Sequence, residues 1–94
     1  MSAEYALTSL PSFIRAAARF VRKHPDLTQR LDNVLAQLRQ DPFAPSLRPH
    51  ALSGALDGLQ AVSVSYADRI VLCVEGKGHE IILHNIGTHD EVYG

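Results

Sequence analysis

Two periodicities divide the chain. From Phe13 to Leu38 apolar residues return at helical spacing, and from Leu59 to Ile86 they alternate one by one. Phe13, Ala17, Phe20 and Val21 make the first helical stripe, widened by Ile14 and Ala18, with Arg15, Arg19 and Arg22 on the opposite side. Leu10-Pro11-Ser12 opens this helix, since proline is tolerated in a first turn and Ser9 or Ser12 can cap free amides. His24-Pro25 closes it, because the residue before a proline is pushed out of the helical region. Asp26-Leu27-Thr28-Gln29 has the form of a capping box and opens a second helix. Its stripe of Leu27, Leu31, Val34, Leu35 and Leu38 runs to a stop at Asp41-Pro42. The short connection predicts an antiparallel helical hairpin with both stripes on one core.

Around the hairpin lie the extended segments. Tyr5 and Leu7 alternate with Ala6 and Thr8 within residues 3–10, which predicts a short first strand. Phe43 to Pro49 is a proline-interrupted connector, and His50 to Gly58 is turn-rich. Val62, Val64 and Tyr66 then point one way, with Ala61, Ser63 and Ser65 the other. Ala67-Asp68 makes a turn into a strand over Arg69–Glu75, with Ile70, Leu72 and Val74 on one face and Arg69, Val71 and Cys73 on the other. Gly76-Lys77-Gly78 supplies a hairpin turn whose glycines take positive backbone angles. Glu80–Ile86 completes the meander. The order β-α-α-β-β-β predicts an α+β fold, a helical hairpin packed on one face of an antiparallel sheet, the other face left as a shallow concavity. Gly87 ends the apolar run and frees a polar tail, Thr88 to Tyr93, from the sheet.

Ninety-four residues supply one domain, 1–94, with a single modest core. At 46% hydrophobic and 20% charged residues, the chain is not disordered material. The lone Cys73 sits in an apolar run, reads as a small buried hydrophobe, and gives no sign of an oxidising compartment. No apolar stretch reaches membrane-spanning length and Met1-Ser2-Ala3-Glu4 lacks a signal pattern, so a cytoplasmic chain without membrane contact is expected.

The net charge of −1 gives no global argument for nucleic acid, but the charge is unevenly placed. Residues 1–50 hold seven Lys/Arg against four Asp/Glu, and residues 51–94 two against six. Arg15, Arg19, Arg22 and Lys23 form a positive helix face suited to phosphate or to an acidic partner segment. Gly54 and Gly58 lack the Lys-Ser/Thr ending of a phosphate-binding loop. His24 complements a helix C-terminus, and His79 sits exposed beside the hairpin. His79, His84 and His89 recur every five residues, which alternates faces in strands and makes no metal set. No metal or cofactor is expected. His50 and His89 remain, both at strand–loop junctions that a meander can bring to one rim. Structural alternatives stand beside these: His50 closes a turn after Pro49, Asp68 only makes the hairpin, and Arg69 pairs with Asp68 or Asp90.

The segments Leu47…His50-Ala51-Leu52-Ser53-Gly54, Asp68-Arg69-Ile70-Val71 and Ile86-Gly87-Thr88-His89-Asp90-Glu91-Val92-Tyr93 together resemble the RelE/ParE toxin superfamily. Within it they look closest to RelE-type mRNA interferases of the YafQ kind. The resemblance covers nearly the whole chain, including Ser12-Phe13, the Leu-rich second helix and Asp41-Pro42. It implies the toxin of a type II toxin–antitoxin system, a ribosome-dependent endoribonuclease acting on mRNA in the A site. It further implies a cognate antitoxin that silences the toxin, with a toxin–antitoxin heterotetramer as one assembly.

The implied chemistry is metal-independent: a ribose 2′-OH attacks the neighbouring phosphate, so a base, an acid and charge stabilisers are needed. By resemblance His50 is the general base, His89 the general acid, and Asp68 a residue that orients a histidine or contacts substrate. Arg69 binds phosphate, Arg48 is a further phosphate contact, and Tyr93 is a terminal aromatic for stacking or hydroxyl contact. Asp90 and Glu91 hold His89 or Arg69 in place. Two departures stand out: a histidine found in YafQ-like sites is replaced by Val64, and the chain is not basic, as RNA binding would favour. The alternatives are a ParE-like gyrase-inhibiting toxin without a nuclease site and an inactive homologue that only binds an antitoxin.

Overall fold

Alternation and helical spacing are both realised, around one five-stranded sheet. The computed structural model describes residues 4–93. The elements are β1 (Ala6–Ser9), α1 (Pro11–Lys23), α2 (Thr28–Gln40), β2 (His50–Ala51), β3 (Gln60–Ser63), β4 (Asp68–Glu75), β5 (Glu80–Thr88) and α3 (His89–Tyr93). The strand order is β1-β5-β4-β3-β2. Both long helices cover one face, so the fold is α+β with a helical hairpin on a sheet, as the pattern predicts.

The sheet is mixed, not wholly antiparallel. β1 runs parallel to β5, with Ala6 opposite Glu80 and Ser9 opposite Leu83. The helical hairpin and the meander together act as a long crossover, which a parallel pair requires. The Thr8 hydroxyl donates to Glu80 Oε2 (2.7 Å) across this pair.

Phe13, Ala16 and Phe20 of α1 and Leu31 and Leu38 of α2 pack on Val62, Val64, Ile70, Leu72, Ile81, Leu83 and Ile86. The Phe13–Ala16–Phe20 line sets the buried face, which leaves Ile14 57% exposed and Ala18 on the surface; neither widens the core. A register shift between Val71 and Leu72 puts an extra β5 residue at His84. This bulge lets Leu83 and Ile86, three apart, both face the helices.

Neither predicted side-chain cap forms. Leu10 precedes α1 and Leu27 precedes α2 without side-chain capping bonds. The Ser12 hydroxyl donates instead to the His84 carbonyl (2.7 Å) at the bulge. Asp26 lies in a single 3-10 turn, Pro25–Leu27, on which α2 stacks. At the β4–β5 turn the positive φ falls on His79 (50°) and not on the glycines. His79 packs there against Tyr5, with ring centroids 4.8 Å apart.

Gly87 does not end the last strand. It pairs with Arg69, and Thr88 pairs with Asp68, so β5 runs two residues further than the apolar pattern indicates. Residues 89–93 then form a helix, α3, and not a released tail.

Candidate functional site

β2 is only two residues long and pairs only with Gln60 and Ala61. Beyond Ala61 the outer edge of β3 is therefore unpaired, and a concavity of about 950 Å³ opens there. α2 forms one wall through Arg30, Asn33, Val34 and Gln37. Ser63, Val64, Ser65, Tyr66 and Arg69 line it from β3, β4 and the turn between them, and Ser46, Leu47, Arg48 and His50 from the connector into β2.

Sheet register explains which groups face outward. Residues directly opposite in an antiparallel pair share a face. One row reads His50, Ala61, Val71, Asn85, and the next reads Ser63, Arg69, Gly87. His50 and Arg69 thus lie in adjacent rows on the face opposite Ile70 and Leu72, the face on which Glu91 of α3 closes over Gly87. Arg69 Nη1 donates to the Ser63 hydroxyl (3.2 Å), which steadies its guanidinium over the groove. Arg30 Nε donates to the Val64 carbonyl (2.6 Å) just past the end of β3, which holds its guanidinium at the groove. Arg48 ends the Pro45–Leu47 turn with φ 52°, a left-handed conformation that costs a non-glycine residue about 1–3 kcal/mol and occurs disproportionately at functional sites. Three guanidiniums and one imidazole share the groove, and among the described residues no carboxylate lines it. A concave wall of one charge sign focuses its potential on an anion.

Asp68 lies elsewhere. It is 4% exposed, and strand alternation turns it under α1, against Ala16, Phe20 and Ile86, opposite in direction to Arg69. Its Oδ2 accepts from the Ser65 hydroxyl (2.7 Å), whose oxygen accepts in turn from the Asp68 amide (3.2 Å). The Val64 amide donates to the Asp68 carbonyl (2.9 Å). Asp68 closes the β3–β4 turn and so sets Ser65 and the start of β4.

His89 and Tyr93 sit on α3. Thr88-His89-Asp90-Glu91 is a capping box: the Thr88 amide donates to Glu91 Oε1 (2.8 Å) and the Glu91 amide to Thr88 Oγ1 (3.4 Å). The Thr88 amide, then the Thr88 hydroxyl, hold the Glu91 carboxyl below its ordinary range against an opposing cost of burial, with Lys23 and Arg19 adding lesser contributions to the lowering. Lys23 Nζ lies 4.0 Å from Glu91 Oε2. Glu91 therefore serves α3 and α1, not Arg69.

The His89 side chain is 75% exposed, with Nδ1 3.7 Å from Asp90 Oδ1. Its ring meets Tyr93 edge-on at 4.5 Å. The Tyr93 hydroxyl is buried without a partner among the described residues, so Tyr93 turns its polar end inward. Neither His89 nor Tyr93 lines the groove. β2 and β5 are three strand spacings apart, about 14 Å, so His50 and His89 are not adjacent. Arg69 lies between them, since Gly87, its partner on β5, is two residues before His89.

Arg48, His50 and Arg69 are thus brought together, and Asp68, His89 and Tyr93 are not. Val64, where YafQ-like sites are expected to carry a histidine, is a core residue, 2% exposed. Arg30, Asn33, Gln37 and Tyr66 are groove residues that the sequence did not single out. Tyr66 alternates with Val62 and Val64, which suggested a core position, yet it is fully exposed. β3 ends at Ser63, so alternation no longer governs Tyr66. Among the described residues no three His, Cys, Asp or Glu side chains converge on a metal site, and no helix is long and apolar enough to cross a membrane.

No protein-family model and no curated protein sequence matches the chain. Solved structures do. A copper-bound mutant toxin from Helicobacter pylori superposes with TM-score 0.77 at 24% identity, over 94% of this chain and 98% of that one. A YoeB/ParE toxin from Agrobacterium tumefaciens gives 0.77 at 19%, over 89% and 98%. YafQ in the E. coli DinJ–YafQ toxin–antitoxin complex gives 0.78 at 14%, over 97% and 99%. The chain has the fold of RelE/ParE-type toxins, YafQ among them, as its motifs suggest.

Proposed function

We propose that this chain is the toxin of a type II toxin–antitoxin pair and cleaves mRNA in the ribosomal A site without a metal. The observation that carries this reading is the groove. Among the described residues three arginines and a histidine line it without a carboxylate, on a chain whose net charge is −1. Local charge of that kind, on a chain with no net positive charge, fits a polyanion's backbone.

In the proposed reaction Arg69 and Arg48 hold the scissile phosphate and offset the charge gained by its equatorial oxygens. His50, neutral, takes the proton of the attacking 2′-OH. The new bond is 2′-O to phosphorus, the bond broken is phosphorus to 5′-O, and the products are a 2′,3′-cyclic phosphate and a 5′-hydroxyl. Delivery of the proton to the leaving 5′-oxygen falls to His89, which lies outside the groove on α3 and reaches the phosphate when α3 moves toward bound RNA. RNA passes from His50 over Ser63 and Arg69 toward α3, which covers Gly87, with Arg69 between base and acid. Tyr93 orients the His89 ring. Asp68 is a positioning residue acting through Ser65 and the start of β4. Arg69 beside Ser63 supplies the cationic group that Val64 cannot.

The antitoxin partner rests on the likeness to YafQ, whose structure with DinJ is a toxin–antitoxin complex. A heterotetramer and a cytoplasmic site of action, where translating ribosomes are, belong to the same proposal. Induction in a bacterial host, with transcript 5′ ends mapped beside a His89→Ala control, tests it. New 5′-hydroxyl ends inside translated messages, absent in the control, are expected. Growth arrest with intact messages and altered DNA supercoiling would instead move the reading to a gyrase-directed toxin of the same fold.

A further inference from the structure

α2 has a second face that core packing does not use. Leu31 and Leu38 are buried, while Arg30, Asn33 and Gln37, three and four residues apart, line the groove. Asn33 accepts from the Gln29 amide through Oδ1 (3.0 Å), which fixes its carboxamide and leaves its NH₂ free. Gln37 has no side-chain hydrogen bond among the described residues. Tyr66 lines the same groove, a fully exposed ring that no hydrogen bond or ring contact among the described residues engages. An aromatic ring left in water in a cationic groove that two carboxamides also line exceeds what phosphate binding needs. Phosphate asks for charge. A flat ring and paired donor–acceptor groups suit an unpaired nucleobase, which offers a π-face and a hydrogen-bonding edge.

We infer that Tyr66 and the α2 wall form a nucleobase pocket, in which Tyr66 stacks on one unpaired RNA base while Asn33 and Gln37 read its edge. Selection by base then resides in α2, and affinity for backbone in Arg48 and Arg69. The inference rests on the groove being an RNA site, and its test separates the two. Labelled 2′-O-methyl pentanucleotides, which lack the attacking hydroxyl, are titrated onto the full chain as four homopolymers and as an abasic backbone, read by fluorescence anisotropy. The wild type favours one base by about tenfold, the scale of one well-placed carboxamide pair. Tyr66→Ala weakens all four homopolymers about tenfold and leaves the abasic backbone unchanged, and Tyr66→Phe restores them. Asn33→Ala with Gln37→Ala levels the four bases. Arg69→Ala weakens bases and abasic backbone alike. All these positions are exposed or half-buried, so unchanged thermal melting confirms folding. Equal affinity for the four bases and the abasic backbone, still weakened by Arg69→Ala, would overturn the nucleobase pocket and leave the RNA site standing. No oligonucleotide binding by the folded wild type would overturn both.

Discussion

Arg69 and Asp68 are neighbours in sequence with opposite fates, and strand alternation decides between them. Arg69 faces the open groove beside Ser63, whereas Asp68 is buried under α1 with its carboxylate on Ser65. Their substitutions should therefore part company. Asp68→Ala leaves the Ser65 hydroxyl and the turn without their acceptor, and a loss of about 1–3 kcal/mol in urea unfolding is expected. Arg69→Lys keeps the charge but not the planar fork, and should retain only part of the RNA affinity with stability unchanged. A melt that shifts for Arg69→Lys and not for Asp68→Ala would reverse the assignment. At this scale polar groups at strand–loop junctions pointed to His50, which lines the groove, and to His89, which does not, while Arg48 and Arg69 came from the family resemblance. Arg30, Asn33 and Gln37 were hidden, because helical spacing reveals that a face is polar but not whether water or another wall lies opposite.

α3 shows the same limit for an element. Thr88-His89-Asp90-Glu91 carries a capping box as plainly as Asp26-Leu27-Thr28-Gln29 does, and only the former closes. At Asp26 the preceding Pro25 begins a 3-10 turn that places the residue inside structure already formed. At Thr88 the strand ends and the cap is free to act. Gly87 permits this by bulk: a Cβ there would lie 2.9 Å from Glu91 Oε1 and 3.0 Å from Glu91 Cβ. Thr88→Ala should cost about 1 kcal/mol of local stability, and Gly87→Ala should displace Glu91, both seen as faster amide exchange in residues 89–93. The carboxyl of Glu91 titrates below its ordinary value of 4.5, so its contribution is complete above that pH and is lost as pH falls through the lower folded-state value. Protection of the α3 amides, taken relative to the intrinsic exchange rate at each pH, should fall on acidification below about pH 4.5 in the wild type and change less in Glu91→Gln. The helices and the meander were legible because each repeats a period. The parallel pairing of β1 with β5 was not, since residues 74 apart in sequence announce no partner. Nor was the bulge at His84, which breaks the alternation that would reveal it.

For the whole molecule, charge is separated by place and not by total. The groove gathers Arg30, Arg48 and Arg69, while Asp68 is buried and Glu91 is tied to α3. Net charge reads as an argument against RNA only when the surface is averaged. Three phosphate contacts predict a slope near −2 in a plot of log affinity against log salt for single-stranded RNA, which a titration from low to physiological salt measures. The core that holds the groove walls together is anchored by Leu38, fully buried between α2 and the sheet. Leu38→Ala should remove about 2–5 kcal/mol of stability and activity with it, without altering base preference while the chain is folded. The most direct test of the groove as the cleaving site is the single-turnover rate of message cleavage in a translating extract with purified chain, comparing wild type, His50→Gln and Arg69→Ala. A cleaving groove predicts 5′-hydroxyl ends from the wild type and rates at least about a hundredfold lower for both variants at unchanged melting temperature. Undiminished cleavage by either folded variant would contradict it.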